Sequence, residues 1–205
     1  LRGGTGNEWP LRALAAHGIA ALCVNAVPGD TTKDARYRRA QAAVKGAAKL
    51  LSDRGIVDAN RVGMGGLSFG SEVTMWTATN SDLLKAVSIA SVQMEPAYYW
   101  FNARPGRETF AGNVRKTWGA GSPDETPALW KTLSPALNVD RIKAPILMQF
   151  PEQEARLSIE LVSRLARDAA SRGQVGNQYY VVVETPSSKI GTAGLAAESI
   201  PDSIR

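Results

Sequence analysis

Residues Gly66-Leu67-Ser68-Phe69-Gly70 set one hydroxyl between two glycines, with an apolar run before it and a helix-forming run after it. A serine on a tight strand-to-helix turn is pushed out of the sheet, and its Oγ is exposed. Glycines let such a turn close without Cβ clashes. The N–H of Phe69 and the start of the following helix then face any oxyanion formed beside the serine. The chemistry implied is acyl transfer with Ser68 as nucleophile, and a hydroxyl is a weak nucleophile unless a base takes its proton. Here the residues present a conflict. The one histidine is His17, upstream of the serine, whereas a serine turn of this kind has its base downstream.

The bulk composition narrows the remaining possibilities. At 205 residues the chain is expected to form one domain with a sizeable core. A single cysteine excludes an intrachain disulfide and a cysteine-only metal site. Cys23 falls in the apolar run 19–24 and reads as a buried, inert thiol. With one histidine and one cysteine, a zinc site is not expected, and no metal or organic cofactor is implied. The net charge of +5 is spread along the chain, with a mild basic cluster at 33–39 that reads as solvated surface rather than as a nucleic-acid patch. No apolar run is long enough to span a bilayer, so no membrane partner is expected. The chain starts at Leu1 and carries no signal-peptide pattern, which leaves the compartment open between cytoplasm and periplasm.

The elements that must position Ser68 follow from periodicity. Residues 11–17 form a helix candidate stopped by Gly18, and 19–24 a fully buried strand. Residues 40–54 form a helix, with Val44, Ala47, Ala48 and Leu51 on one face and Gly55 as its stop. Residues 61–65 are the strand into the serine turn, 71–79 the helix after it, and 84–90 the next strand. A long irregular stretch, 91–135, holds Tyr98, Tyr99, Trp100, Phe101, Trp118 and Trp130. A strand at 144–150, a helix at 158–171 and a last strand at 178–183 complete the pattern. Alternating strands and helices argue for a mainly parallel sheet with helices on both faces, a three-layer α/β arrangement. Residues 1–184 form this domain, and 185–205, without aromatics or periodicity, read as a poorly packed tail.

Two stretches, 55–71 around the serine and 133–149 leading into the later strand, resemble the prolyl oligopeptidase family of serine peptidases. The resemblance runs from about residue 1 to 184. Three shorter stretches look more particularly like the lasso peptide isopeptidases of that family. They are Leu1-Arg2-Gly3-Gly4-Thr5-Gly6, Met94-Glu95-Pro96-Ala97-Tyr98-Tyr99 and the run from Trp118 to Glu125. The fold implied is an α/β-hydrolase. Members usually carry an N-terminal β-propeller to which nothing here corresponds, and the domain is expected to be truncated at both ends.

The resemblance also implies roles. The loop holding Gly3, Gly4 and Thr5 supplies the second oxyanion donor beside Phe69. The acid that orients the base maps to Glu154, three residues before Leu157, with Glu152 as the alternative. Glutamate can orient an imidazole as aspartate does. The family's histidine belongs where this chain has Ser187 or Ser188, while His17 reads as a helix-end residue. Tyr98 and Tyr99 follow the strand after the turn, where ligands bind in such sheets, and they either hold a peptide or fill the core. The function implied is hydrolysis of an amide bond through an acyl-enzyme. In the subgroup, the bond joins the N-terminal amine of a lasso peptide to an Asp or Glu side chain. Without the histidine this chain is expected to be impaired. Two accounts fit: a non-catalytic peptide-binding domain, or a damaged or mistranslated C-terminal end, which is favoured because the family pattern persists through Val183 and then stops abruptly. A dipeptidyl- or oligopeptidase acting on ordinary peptide bonds uses the same chemistry.

Overall fold

The computed structural model describes residues 11–24, 32–90, 95–101, 108–151, 167 and 180–184. Among the described residues four strands, β1 (Val62–Leu67), β2 (Leu84–Ala90), β3 (Ile146–Pro151) and β4 (Tyr180–Glu184), pair in parallel in the order β1-β2-β3-β4. Parallel neighbours need crossovers. The first is made by α3 (Phe69–Asn80), which packs on both β1 and β2. The expected strands are present at 62–67, 84–90, 146–151 and 180–184, within two or three residues of the sequence pattern.

The sheet face under α3 holds the core. Val87 and Ile89 of β2 and Ile146 and Met148 of β3 alternate onto it and meet Met75 and Ala78 of α3. Ile142 and Ala144, just before β3, close the lower end. On the opposite face, Leu147 is exposed and so is Gln149. The helix expected at 158–171 lies outside the described residues, apart from Arg167.

A second cluster surrounds the outer side of α3. Helix α2 (Lys33–Asp53) contributes Tyr37, and α3 itself gives Val73 and Trp76. The long stretch 91–135 carries three helices of its own: α4 (Pro96–Phe101), α5 (Glu108–Trp118) and α6 (Pro127–Leu133). Val114 and Trp118 of α5 and Trp130 and Leu133 of α6 pack into this cluster. Helix α2 starts seven residues before the expected 40, because Thr32 and Asp34 form a local turn there, the Thr32 hydroxyl donating to Asp34 Oδ1 at 2.7 Å. Its end is as expected. Gly55 has φ 69°, its N–H reaches Ser52 O, and Ile56 N–H reaches Leu51 O. That pair of bonds satisfies the last carbonyls in a left-handed cap. Helix α1 (Leu11–Ala16) ends the same way at Gly18.

Two expectations fail at the edge of the sheet. Residues 19–24 carry no ladder hydrogen bonds, and Ile19, Leu22 and Val24 are all exposed. Cys23 is accordingly exposed, not buried. An apolar run becomes a buried strand only where a neighbour supplies both a ladder and a cover, and this segment pairs with none of the four strands. Between it, α2 and the edge of β1 that pairs with no strand among the described residues lies a cavity of about 410 Å³, lined by Leu22, Val24, Val44, Leu51, Val62 and Met64 among others.

Met148 is fully buried between β2, β4 and α3. Met148→Ala is expected to lower the unfolding free energy by about 2–5 kcal/mol, read by urea denaturation.

Candidate active site

Ser68 sits between the last residue of β1 and the first of α3, exposed, with φ 52° and ψ −117°. Among the described residues it is the one non-glycine with positive φ. A serine costs energy in this conformation and keeps it only where its surroundings over-determine it. Those surroundings are visible. Ser68 N–H donates to Ala90 O at 3.0 Å, tying the turn to the end of β2. Glu72 N–H donates to Ser68 O at 3.1 Å, the first bond of α3. The fully buried Ser71 hydroxyl accepts from Ala90 N–H at 3.0 Å and lies against the carbonyls of Gly66 and Ala90. Its single proton can serve either acceptor.

The two glycines of the motif are not equivalent. A Cβ on Gly66 would overlap the carbonyl group of Gly70, whereas a Cβ on Gly70 would meet nothing within 4 Å. Only the first glycine is demanded by close approach. Phe69 follows Ser68 as the first helical residue, so its N–H is one of the donors that a helix leaves without an internal partner. The N-terminal end of α3 and its dipole therefore face the position beside Ser68.

Behind the turn lies a buried charge cluster. Glu72 Oε2 is 3.0 Å from Lys33 Nζ and accepts from the Tyr37 hydroxyl at 2.7 Å. The side chains of Lys33 and Glu72 are 9% and 10% exposed, so the pair is shielded from water. Lys33 Nζ also lies 3.8 Å from the centre of the Trp118 ring. Burial lowers the Lys33 pKa, and the Glu72 carboxylate opposes that shift. Burial raises the Tyr37 phenol well above its usual value, and the Glu72 carboxylate raises it further. Phe69 stacks on Tyr37 at 5.8 Å, and the Arg36 guanidinium covers it at 4.3 Å. The basic cluster 33–39 is thus not a uniformly solvated face. Lys33 is buried and Arg36 is half-buried, and Arg38 is exposed, over the Trp76 ring.

The family model for the prolyl oligopeptidase family matches residues 32–186. The chain belongs to the prolyl oligopeptidase family. No curated protein matches the chain at a significant level. Among solved structures, the chain is similar to the AtxE2 isopeptidase, with TM-score 0.70 and 20% identity over 91% of this chain and 29% of that one. It is also similar to the Pyrococcus horikoshii acylaminoacyl peptidase, with TM-score 0.54 and 18% identity over 70% of this chain and 23% of that one. A puromycin-hydrolyzing peptidase of Mycobacterium tuberculosis gives TM-score 0.52 and 18% identity over 68% and 20%. The chain therefore spans less than a third of the length of each. These similarities establish the α/β-hydrolase fold that the family resemblance implied.

Among the candidate residues of this prolyl oligopeptidase family chain, the structure brings Ser68 and Phe69 together at the turn. Gly3, Gly4 and Thr5, Glu152 and Glu154, and Ser187 and Ser188 all lie outside the described residues. Tyr98 and Tyr99 lie on α4, shortly after β2 ends. Their neighbour Trp100 packs edge-on against Trp130 at 5.6 Å, while Phe101 is exposed. His17 is exposed just after α1, with its backbone N–H bonded to Leu14 O. Sequence reasoning missed Ser71, Glu72, Lys33 and Tyr37. The signal for them is weak: Lys33 and Tyr37 are four apart and so share a helix face, and Glu72 is four residues after Ser68.

Gly66→Ala is expected to destabilise the fold by about 3 kcal/mol or more, through backbone overpacking. Gly70→Ala is expected to be tolerated, with a change no larger than about 1 kcal/mol. Thermal unfolding of the two variants side by side tests the asymmetry. For Tyr37 the folded pKa lies above the unfolded 10.0, so its contribution to stability is intact below pH 10 and is lost as pH rises through the folded value. Ultraviolet titration of the native protein should therefore leave this phenol protonated above pH 10, and Tyr37→Phe should flatten the alkaline fall in stability.

Proposed function

We propose that this chain carries the nucleophile-bearing part of a serine peptidase that cleaves amide bonds through an acyl-enzyme, with Ser68 as nucleophile. The observation that carries the reading is the Ser68 turn: an exposed serine at φ 52°, leading directly into the N-terminus of α3. In the proposed reaction the Ser68 oxygen bonds to the scissile carbonyl carbon, and its proton passes to a base and then to the leaving amine. The carbonyl oxygen gains charge beside Phe69 N–H, with Gly3 and Gly4 as the proposed source of the second donor. The C–N bond breaks, and water later releases the acyl group from Ser68. Glu154 is proposed to orient the base.

The finer reading is an isopeptidase acting on a lasso peptide, opening the bond between an N-terminal amine and an Asp or Glu side chain. It is supported by the isopeptidase-like stretches 1–6, 94–99 and 118–125, and by the extent of the fold similarity to the AtxE2 isopeptidase. Another structure of that isopeptidase has Astexin3-dC4 bound, and an acylaminoacyl peptidase structure holds a peptidyl chloromethyl ketone. A peptide is accordingly the proposed partner.

His17 is the one histidine, and it directly follows α1. That observation favours a second reading, in which the domain binds peptides without turning them over. A serine lacking its imidazole keeps only the rate that binding and oxyanion stabilisation provide, a loss of about three to six powers of ten.

Fluorophosphonate labelling of the purified chain, with Ser68→Ala as control, decides between them. The expected result is slow labelling confined to Ser68 and abolished in the variant. Labelling that persists in Ser68→Ala overturns Ser68 as nucleophile, and complete silence supports the binding domain.

A further inference from the structure

The inner face of α2 meets the first turn of α3 at Phe69 and Glu72. Lys33, Arg36 and Tyr37 are spaced three and four apart and so line one side of the helix. Lys33 Nζ and Tyr37 OH converge on the same oxygen, Glu72 Oε2, at 3.0 and 2.7 Å. The Tyr37 ring stacks on Phe69, and Arg36 lies over the same ring. Glu72 is in turn joined to the serine, because its N–H donates to Ser68 O. Lys33 is anchored from the far side by Trp118 of α5.

We propose that Lys33, Tyr37 and Glu72 act as a positioning clamp that holds the Ser68 carbonyl and the Phe69 N–H in their reactive placement. The proposal rests on the reading of Ser68 as nucleophile. Its physical basis is the conformation of Ser68. Left to itself, a serine leaves φ 52°, and helix α3 can relax by tilting its first turn. Tilting would pull the Glu72 carboxylate away from an ammonium and a phenol that water barely reaches, leaving a buried charge unpaired. A shielded ion pair with a hydrogen-bonded third partner has one good geometry, whereas a purely apolar contact tolerates sliding. Glu72 near the N-terminus of α3 also has the favourable sign for the helix dipole.

The test separates local positioning from general stability. Tyr37→Phe removes one hydroxyl and keeps the ring on Phe69; Glu72→Gln keeps the shape and removes the charge. Amide hydrogen exchange is followed at Ser68, whose N–H is bonded to Ala90 O, at Glu72, whose N–H is bonded to Ser68 O, and at Ile89 and Met148 in the sheet. The clamp predicts that Tyr37→Phe lowers protection at Ser68 and Glu72 about tenfold more than at Ile89 and Met148, with a larger local loss for Glu72→Gln. An equal loss at all four sites, or none, overturns it. In fluorophosphonate labelling the same variants should slow the covalent step about tenfold and leave the binding constant within twofold. Unlabelled wild-type protein would count against Ser68 as nucleophile, and the exchange pattern would still decide the clamp. If Glu72→Gln does not fold, the exchange pattern of Tyr37→Phe alone decides the question.

Discussion

The approach of Gly66 to Gly70 is the constraint from which the rest of the site follows. The chain leaves β1, reverses within two residues and enters α3, and the two backbones pass so closely that no Cβ fits on Gly66. That reversal forces Ser68 into the left-handed region, where its side chain stands clear of both elements. Everything packed around the turn offsets the strain. β2 supplies Ala90 O and N–H, Ser71 fills the space beneath, and α2 buttresses the first turn of the helix. Met75 and Ala78 then fix α3 to the sheet. Ser68 can therefore be held in strained form because, among the described residues, the strain is confined to this one non-glycine position and the support comes from several elements.

The parts legible in the sequence are those that local rules control. The alternation in β2 and β3, the glycine caps at Gly18 and Gly55 and the serine turn each rest on a few adjacent residues. The run 19–24 shows where that logic stops. Its composition is that of a buried strand, yet burial is a property of the neighbours, and none of the four strands pairs with it. Cys23, inside the same run, is exposed for the same reason. The start of α2 is hidden because the residues before 40 are polar, and a helix whose inner face carries a lysine and a tyrosine does not look amphipathic. The motif's two glycines look alike in sequence; only the packed backbone distinguishes them.

The charge cluster behind the turn is illegible for a related reason. A lysine among other basic residues reads as solvated, and the general expectation favours that. Lys33 departs from it because its partner is Glu72, far along the chain, on a helix that happens to cross at that point. The pair is not placed to add stability, since desolvation offsets most of the attraction between buried charges. What it adds is directionality, in a region otherwise held by aromatic faces. Tyr37 serves both needs, with its ring against Phe69 and Trp76 and its hydroxyl on Glu72.

Among the described residues one edge of β1 is unpaired, and this bears on how Ser68 is held. Ser68 lies at the end of that strand, and among the described residues the strand pairs on one side only, with β2. On the other side are the apolar cavity and the run 19–24, which forms no ladder. An unpaired edge weakens the restraint on a strand and invites association with other chains. Among the described residues, the support comes as hydrogen bonds from β2 to Ser68 and as side-chain contacts from α2 to Phe69 and Glu72. The acyl transfer proposed for Ser68 would demand precision, because a displacement of about 1 Å can cost a hundredfold in rate. With no second strand beside β1 among the described residues, the contacts from α2 to Phe69 and Glu72 bear a larger share of that precision than they would in a sheet paired on both sides.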